Sequence, residues 1–494
     1  MTHVEHVIVG AGFAGLCAAI KLQEDGEREF LVVEKGSTVG GTWRDNTYPG
    51  ACCDVPSQLY SYSFASHDWS KSYSPQPEIQ DYIERVAQRS GTLDRFAFDT
   101  TMEHAAWDAD AQRWEVRISG PEGERTVTST TLIVGAGGLS EPKLPEIDGL
   151  DTFQGELFHS ARWDHGVDLA GKRVAVIGTG ASAIQIIPEV QQVLASTGGH
   201  LDVYQRSAPW VIPRNDRTYK GAEATALQRF PALRKVYRTG IYWAHEGYVP
   251  AFTMVPKLAL PAQKAAEANI ALGIKDPALR AKVTPQFAIG CKRILRSNTY
   301  YPALAADNTE LVTDRIAKVT GNAIVTADGV ERPVDVIVVA TGFHTTELPI
   351  TEHITGTAGH TLADAWRTTG MAAYKGTTVP GFPNLFMIVG PNTGQGHTSM
   401  VFIIEAQVAY IRDAVRTLRR TGYAAVEPNP AAFRKWNADL QRRMKRTVWN
   451  TGGCSSWYLD DQGRNTVLWP KATFTFRRQL ASFDLDAYDV RKSA

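Results

Sequence analysis

Val4-Glu-His-Val-Ile-Val9 runs directly into Gly10-Ala-Gly12-Phe-Ala-Gly15, and this junction decides the fold. A short apolar strand ends at a glycine turn, and the residues after it set Leu16, Ala19, Ile20 and Leu22 on the inner side of a helix. A second apolar strand, Phe30 to Val33, closes on Glu34. Together these parts make a βαβ unit of the dinucleotide-binding type. The first glycine allows the tight turn, the second lets main chain approach a pyrophosphate, and the third lets helix pack on strand. The helix N-terminus offers free N–H groups and the positive end of its dipole to the phosphates. A carboxylate at position 34 can accept from both ribose hydroxyls, which suits an unphosphorylated adenosine such as that of FAD.

The pattern occurs twice. Arg173-Val-Ala-Val-Ile177 leads into Gly178-Thr-Gly180-Ala-Ser-Ala183, then a helix to about Leu194 and a strand from Leu201 to Tyr204. This second strand ends on Gln205-Arg206-Ser207, with no acid. A carboxylate there would repel a ribose 2′-phosphate, whereas arginine can hold one in a charge-assisted pair. Gly178, Gly180, Ala183, Arg206 and Ser207 therefore read as an NADPH site, and Gly10, Gly12, Gly15 and Glu34 as an FAD site. The fold class is α/β, with two Rossmann-like units and a helical insertion.

Between the two units lies Phe153-Gln-Gly155-Glu-Leu-Phe-His159-Ser-Ala-Arg-Trp163-Asp164. The pattern F-x-G-x-x-x-H-x-x-x-W-[P/D] resembles the fingerprint of the flavin-dependent Baeyer–Villiger monooxygenases, and the likeness runs along nearly the whole chain. That resemblance implies an enzyme that uses NADPH and O₂ to insert one oxygen atom beside a ketone carbonyl through a flavin peroxide, giving an ester or lactone. It also assigns residues. Thr42, Trp43, Asp54 and Tyr60 match positions around the flavin, and Met102 matches a main-chain contact to the adenine. Lys292 matches a contact to the 2′-phosphate. Arg293 matches the arginine that reaches the flavin, with Asp54 as its catalytic partner. Where cyclic-ketone enzymes carry Tyr-Trp-Asn-Arg, this chain has Arg44-Asp-Asn-Thr47. That departure bears on the substrate class and not on the chemistry.

The rest of the chain sets limits. Lys plus Arg and Asp plus Glu both number 52, so there is no basic field for nucleic acid or a membrane surface. No apolar run is long enough to span a bilayer, and the first residues lack a signal-peptide pattern, so a cytoplasmic enzyme is expected. Five cysteines in 494 residues argue against a disulfide framework; adjacent Cys52 and Cys53 form neither a redox C-x-x-C nor a metal-binding spacing. From 213 to 287 the pattern turns helical. Leu233, Val236, Tyr237, Gly240 and Ile241 make an apolar stripe read as packing. Ile404, Val408, Ile411, Val415 and Leu418 make another, after the glycine-rich Gly390–Thr398. An aromatic loop, Trp449 to Trp457, is a candidate wall of the substrate channel, and the tail after Asp486 is expected to fray.

The expected layout is a discontinuous FAD unit (1–140 and 342–494), a linker with the fingerprint (141–165) and an NADPH unit (166–212 and 288–341). A helical subdomain (213–287) is inserted in the last. Three other functions are weighed against the nucleotide loops. A sulfur- or nitrogen-oxygenating flavin enzyme usually lacks the Trp-Asp that closes this fingerprint. A flavoprotein that only senses NADPH has no use for Arg293 and Asp54. A disulfide reductase would need a cysteine pair over the flavin, which Cys52-Cys53 does not supply. The ketone itself and the oligomeric state are not written in the sequence.

Overall fold

Thr2–Val9 is the central strand of an eight-stranded sheet, paired in parallel with Phe30–Val33 on one side and Gly123–Val134 on the other. A computed structural model describes residues 2–492. The glycine turn leads into helix Phe13–Glu24, in which Phe13 to Ile20 and Leu22 are all buried. Such a helix cannot face water. It lies between the sheet and the long helix Met400–Thr421, whose expected stripe of Ile404, Val408, Ile411, Val415 and Leu418 is buried throughout. An antiparallel meander, Thr101–Asp108, Arg113–Gly120 and Gly123–Val134, extends one edge, and Leu385–Met387 joins beside Gly123–Val134.

The second sheet is parallel throughout. Its five strands stand in the order Thr309–Val312, His200–Tyr204, Arg173–Ile177, Val336–Val339 and Glu156–His159. The last of these comes from the middle of the fingerprint, so that segment is more than a connector: it is the edge strand of the second sheet. The chain passes between the sheets twice, and the two passages lie together. Lys143 N donates to Gly342 O at 2.9 Å and His344 N to Glu141 O at 3.0 Å.

Between 213 and 287 the chain forms helices Gly221–Arg229, Pro231–Glu246, Val249–Thr253, Leu260–Gly273 and Pro277–Val283. Two short strands that flank them, Val211–Ile212 and Leu295–Arg296, pair in parallel, and Arg214 and Asn298 exchange two hydrogen bonds of 2.8 Å just beyond.

Three expectations need correction. The stripe on Pro231–Glu246 is not a packing face as a whole, for Leu233 is 43% and Val236 68% exposed. Its inner face holds Tyr237, Ile241 and Tyr242 together with Arg238, whose guanidinium donates to Gln58 O and to Ser61 O, the latter at 2.9 Å. A helix that docks through arginine on main-chain carbonyls hides its buried side from apolar periodicity. The tail does not fray at Asp486. Tyr488–Lys492 pairs antiparallel with Tyr423–Pro428, anchored by buried Tyr488, whose hydroxyl meets those of Thr378 and Tyr410, each at 2.9 Å. And the cysteines are not all free: Cys291 and Cys454 form a disulfide across 163 residues of chain, while Cys17, Cys52 and Cys53 remain thiols.

Candidate active site

Both glycine cradles have the shape a pyrophosphate needs. Gly10 and Gly178 have φ of +95° and +118°, and a Cβ would sit 2.9 Å from Gly135 O or 2.5 Å from Ala340 O, so only glycine can make either turn. At Gly15 a Cβ would fall 1.8 Å from Gly10 O, which brings helix onto strand. The second glycines differ. A Cβ at Gly180 would meet nothing within 4 Å, and one at Gly12 only the neighbouring Gly40-Gly41 main chain, at 3.7 Å or more. These are the open floors of the two cradles, and they fit a dinucleotide phosphate. Ala183 replaces the third glycine in the second cradle and is fully buried there.

Glu34 is buried and already engaged. One carboxylate oxygen accepts from Ala11 N at 2.7 Å, the other from Gly36 N and Arg44 Nη1, both at 2.8 Å. Arg44 is thus a functional candidate that the sequence reading passed over as a mere departure from pattern. Its guanidinium reaches the ribose end of the first cradle, where it fixes the acid that would take a ribose hydroxyl. Burial pulls that guanidinium's pKa down, but the carboxylates of Asp45 and Glu34 more than offset this and leave it raised. Met102 lies in a bulged strand with its side chain buried in the core, which leaves only main chain for any adenine contact. Trp43 Nε1 donates to Tyr60 Oη at 3.0 Å, with the rings edge to face; Thr42, exposed, opens the short helix that carries Trp43.

Asp54 and Arg293 come together from 239 residues apart. Arg293 Nε and Nη2 donate to the two carboxylate oxygens at 2.6 and 2.7 Å, a bidentate pair, and Nη1 also reaches Gln395 O at 3.4 Å. Both side chains stay partly exposed, 26% for Asp54 and 31% for Arg293. Burial pushes the Asp54 carboxyl up, yet the guanidinium outweighs it and holds the pKa below the usual carboxylate range. The Asp54 charge in turn raises Arg293 beyond any working pH. Buried Tyr458 stands within electrostatic reach, its own pKa pushed up to about 12 by burial.

On the second cradle Lys292 Nζ donates to Ser207 Oγ at 2.8 Å. Burial and the charge of exposed Arg206 both lower the Lys292 ammonium, so two cations act within electrostatic reach of each other. Among the described residues neither is paired with a carboxylate. That is the donor set a 2′-phosphate would satisfy.

The fingerprint residues have separate structural duties. Gly155 passes so close to Asp335 O that a Cβ would sit 2.4 Å away, and Phe153 packs into the apolar cluster beneath the second sheet. His159 is buried, accepts from Ala161 N at 3.1 Å, and lies edge-on to Phe343 in the connecting segment. Burial depresses its pKa to about 4, so the ring is neutral near pH 7. Trp163 packs edge-on to Phe158, and exposed Asp164 closes a turn by accepting from Gly166 N at 2.8 Å.

The structure adds groups that no spacing pattern reveals. Cys291 directly precedes Lys292-Arg293, and its disulfide to Cys454 ties that segment to the aromatic loop. Gly290 and Gly396 let Phe252 and Trp449 close in, the two rings stacked at 6.0 Å. The one signal available was the position of Cys291 directly before Lys292-Arg293, too slight to read alone.

Comparison with known proteins bears on the family of the chain. Residues 4–239 match the Flavin-binding monooxygenase-like family. The chain is 48% identical over 496 residues to a Baeyer–Villiger monooxygenase of Streptomyces coelicolor, covering 100% of this chain and 93% of that protein. It is 46% identical to another from Pseudomonas aeruginosa, covering 99% and 92%. Among solved structures, an oxidized steroid monooxygenase bound to NADP superposes with a TM-score of 0.86 at 32% identity, covering both chains fully (100% of each). A closed form of cyclohexanone monooxygenase gives 0.87 at 27% identity, again over 100% of each chain.

Proposed function

The chain belongs to the FAD-dependent Baeyer–Villiger monooxygenases, and on that premise we propose that Arg293 and Asp54 are its catalytic pair. The enzyme takes NADPH and O₂ and inserts one oxygen atom beside a ketone carbonyl to give an ester or lactone. Bound FAD supplies the electron transfer and the oxygen activation. The protein supplies placement, charge and exclusion of water. Gly10, Gly12, Gly15 and Glu34 hold FAD, with Thr42, Trp43, Tyr60 and the main chain of Met102 around it. Gly178, Gly180, Ala183, Arg206, Ser207 and Lys292 hold NADPH. Arg293 keeps a permanent positive charge where negative charge develops during oxygen transfer, since a guanidinium does not lose its proton. Asp54 fixes the fork of Arg293 and balances its charge at other stages.

The single observation that carries this reading is the bidentate, part-exposed Asp54–Arg293 pair, formed by residues 239 apart in sequence. The layout that goes with this reading is an FAD unit of 1–140 and 342–494, the fingerprint at 141–165, and an NADPH unit of 166–212 and 288–341, with the strand Glu156–His159 of the fingerprint paired to the second sheet. The helical segment 213–287 is an insertion in the NADPH unit. Among the described residues no helix is long and apolar enough to cross a membrane. The test is aerobic incubation with NADPH and linear, cyclic, aryl and steroidal ketones, with products tracked by mass. A gain of one oxygen in the product is expected, with an ester linkage. NADPH consumption without any oxygenated product across the panel would overturn the assignment.

A further inference from the structure

Helix Pro231–Glu246 ends in two residues that both grip one histidine of the glycine-rich loop. His245 Nδ1 donates to the main-chain carbonyl of His397 at 2.6 Å. Glu246 faces the ring, with 3.5 Å between its Oε1 and His397 Nε2, and neither side chain is more than 4% exposed. The Glu246 carboxylate also accepts from Thr473 N, at 3.1 and 3.2 Å, and from the Thr473 hydroxyl. A buried carboxylate is costly unless its partners replace water, so this one is a committed contact and not a surface accident.

The gripped loop leads straight to Arg293. Gln395 O accepts from Arg293 Nη1, Gly394 is held by Val467 and Trp469 through main-chain bonds of 2.8 and 2.9 Å, and Gly396 lies against Trp449. Ser399, two residues beyond His397, caps the long helix by accepting from Val401 N at 3.2 Å. The loop is thus fixed from the first sheet's side at Gly394 and Ser399, and from the helical segment at His397. Between those points it meets the guanidinium.

We propose that Glu246 and His397 are a positioning pair for oxygen transfer, through which the helical segment sets the loop that supports Arg293. The pair acts at one remove, through Gln395, so it governs how well oxygen transfer is coupled and not whether the cofactors bind. The proposal rests on Arg293 working at the flavin, as assigned above.

Glu246→Gln is the informative change, because an amide oxygen can still accept from Thr473 N while the charge facing His397 is gone. Measured on the FAD-loaded enzyme, flavin content and anaerobic reduction by NADPH should stay within about twofold of wild type. Ester formed per NADPH should fall about five- to tenfold, with hydrogen peroxide released instead. Amide hydrogen exchange at Gly394–Thr398 should quicken by about tenfold or more, a readout independent of turnover. His397→Gln should reproduce both effects, and the double variant should be no worse than either single one. If Glu246→Gln yields no holoenzyme, His397→Gln, which leaves the Thr473 contacts intact, carries the same measurements. Unchanged coupling and exchange, or losses that multiply in the double variant, would overturn the pair. So would equal losses in Thr473→Val, which would place the effect at the start of helix Thr473–Gln479. Failure of the underlying reading looks different: Arg293→Ala would then keep forming ester whatever the loop does.

Discussion

At the scale of single residues, what matters at Arg293 is a charge that cannot be removed, held by a carboxylate. The Asp54 carboxylate accepts from two of the guanidinium nitrogens and raises the pKa of that group further, so it stays charged at any working pH. Removing one preorganised charge of this kind typically costs about 10²–10³ in rate. Arg293→Ala should therefore reduce its flavin with NADPH under anaerobic conditions yet form little ester in air and release hydrogen peroxide. Near wild-type ester formation by that variant would remove Arg293 from the mechanism. His159 gives a second residue-scale expectation, for stability. Its folded pKa of about 4 lies below the ordinary histidine value, so the unfolded chain binds the extra proton first. Stability from this group is full above about pH 6.5 and is lost as pH falls toward 4, by at most about 3 kcal/mol. Thermal melts across that window should show the wild type losing stability relative to His159→Gln as the pH drops; parallel curves would show that the histidine is not the titrating group. These roles were unequally legible. Gly10, Gly15 and Gly178 declare themselves because only glycine fits their turns, whereas Arg44 carries no pattern and is found only by its bonds to Glu34.

At the scale of elements, we assign the choice of nicotinamide cofactor to the end of strand His200–Tyr204. Arg206, Ser207 and Lys292 form an unbalanced cationic corner, and one lost charge-assisted contact costs about 1.5–3 kcal/mol, or roughly ten- to a hundredfold. Arg206→Ala should raise the NADPH Michaelis constant by that factor and leave the NADH constant nearly unchanged. Equal losses with both would assign the arginine to folding. A second element-scale expectation concerns the disulfide, which joins the segment before Arg293 to the aromatic loop. Cross-links closing long loops typically contribute about 2–4 kcal/mol. Cys454→Ser should lower the melting temperature accordingly, and an unchanged melt under reducing and non-reducing conditions would show that the bond is not formed in solution. Both βαβ units were readable because glycine spacing and apolar period state one fold together. Helix Pro231–Glu246 was misread because its buried side is held by Arg238 on carbonyls, which no hydrophobic count detects. The disulfide was missed because cysteine number speaks of frameworks, not of a single bridge.

At the scale of the whole molecule, two sheets are joined by two connecting segments that run side by side, at 141–143 and 342–344, bridged at Pro142 and Phe343. A joint of that kind resists shear poorly unless something braces it, and the fingerprint is in place to do so. Its strand Glu156–His159 is hydrogen-bonded to Val336–Val339 of the second sheet, and the His159 ring lies against Phe343 in the joint itself. Just past Trp163, His165 Nε2 meets the hydroxyl of Thr47, in the loop that leads to Asp54, at 2.8 Å. The motif therefore touches the second sheet, the joint and the flavin-side loop in succession. That explains why its spacing was legible as a signature while its task was not: the residues are set by three surfaces that are distant in sequence. Disturbing it should change how the sheets move against each other more than it changes either nucleotide cradle, since neither cradle contains a fingerprint residue. Trp163→Phe keeps an aromatic ring against Phe158, and His159→Gln keeps a polar, uncharged side chain in the buried site. Both should retain FAD and should melt within a few degrees of wild type at pH 7, where a loss of about 1 kcal/mol shifts a chain this long only slightly. Ester formation should nonetheless slow by about tenfold or more, because a small displacement of positioned groups is enough for a loss of that size. Flavin content, melting temperature and turnover should be measured on one preparation of each variant. Loss of FAD in step with loss of turnover would reduce the motif to packing; retained FAD with slow oxygenation would make it the brace of the joint.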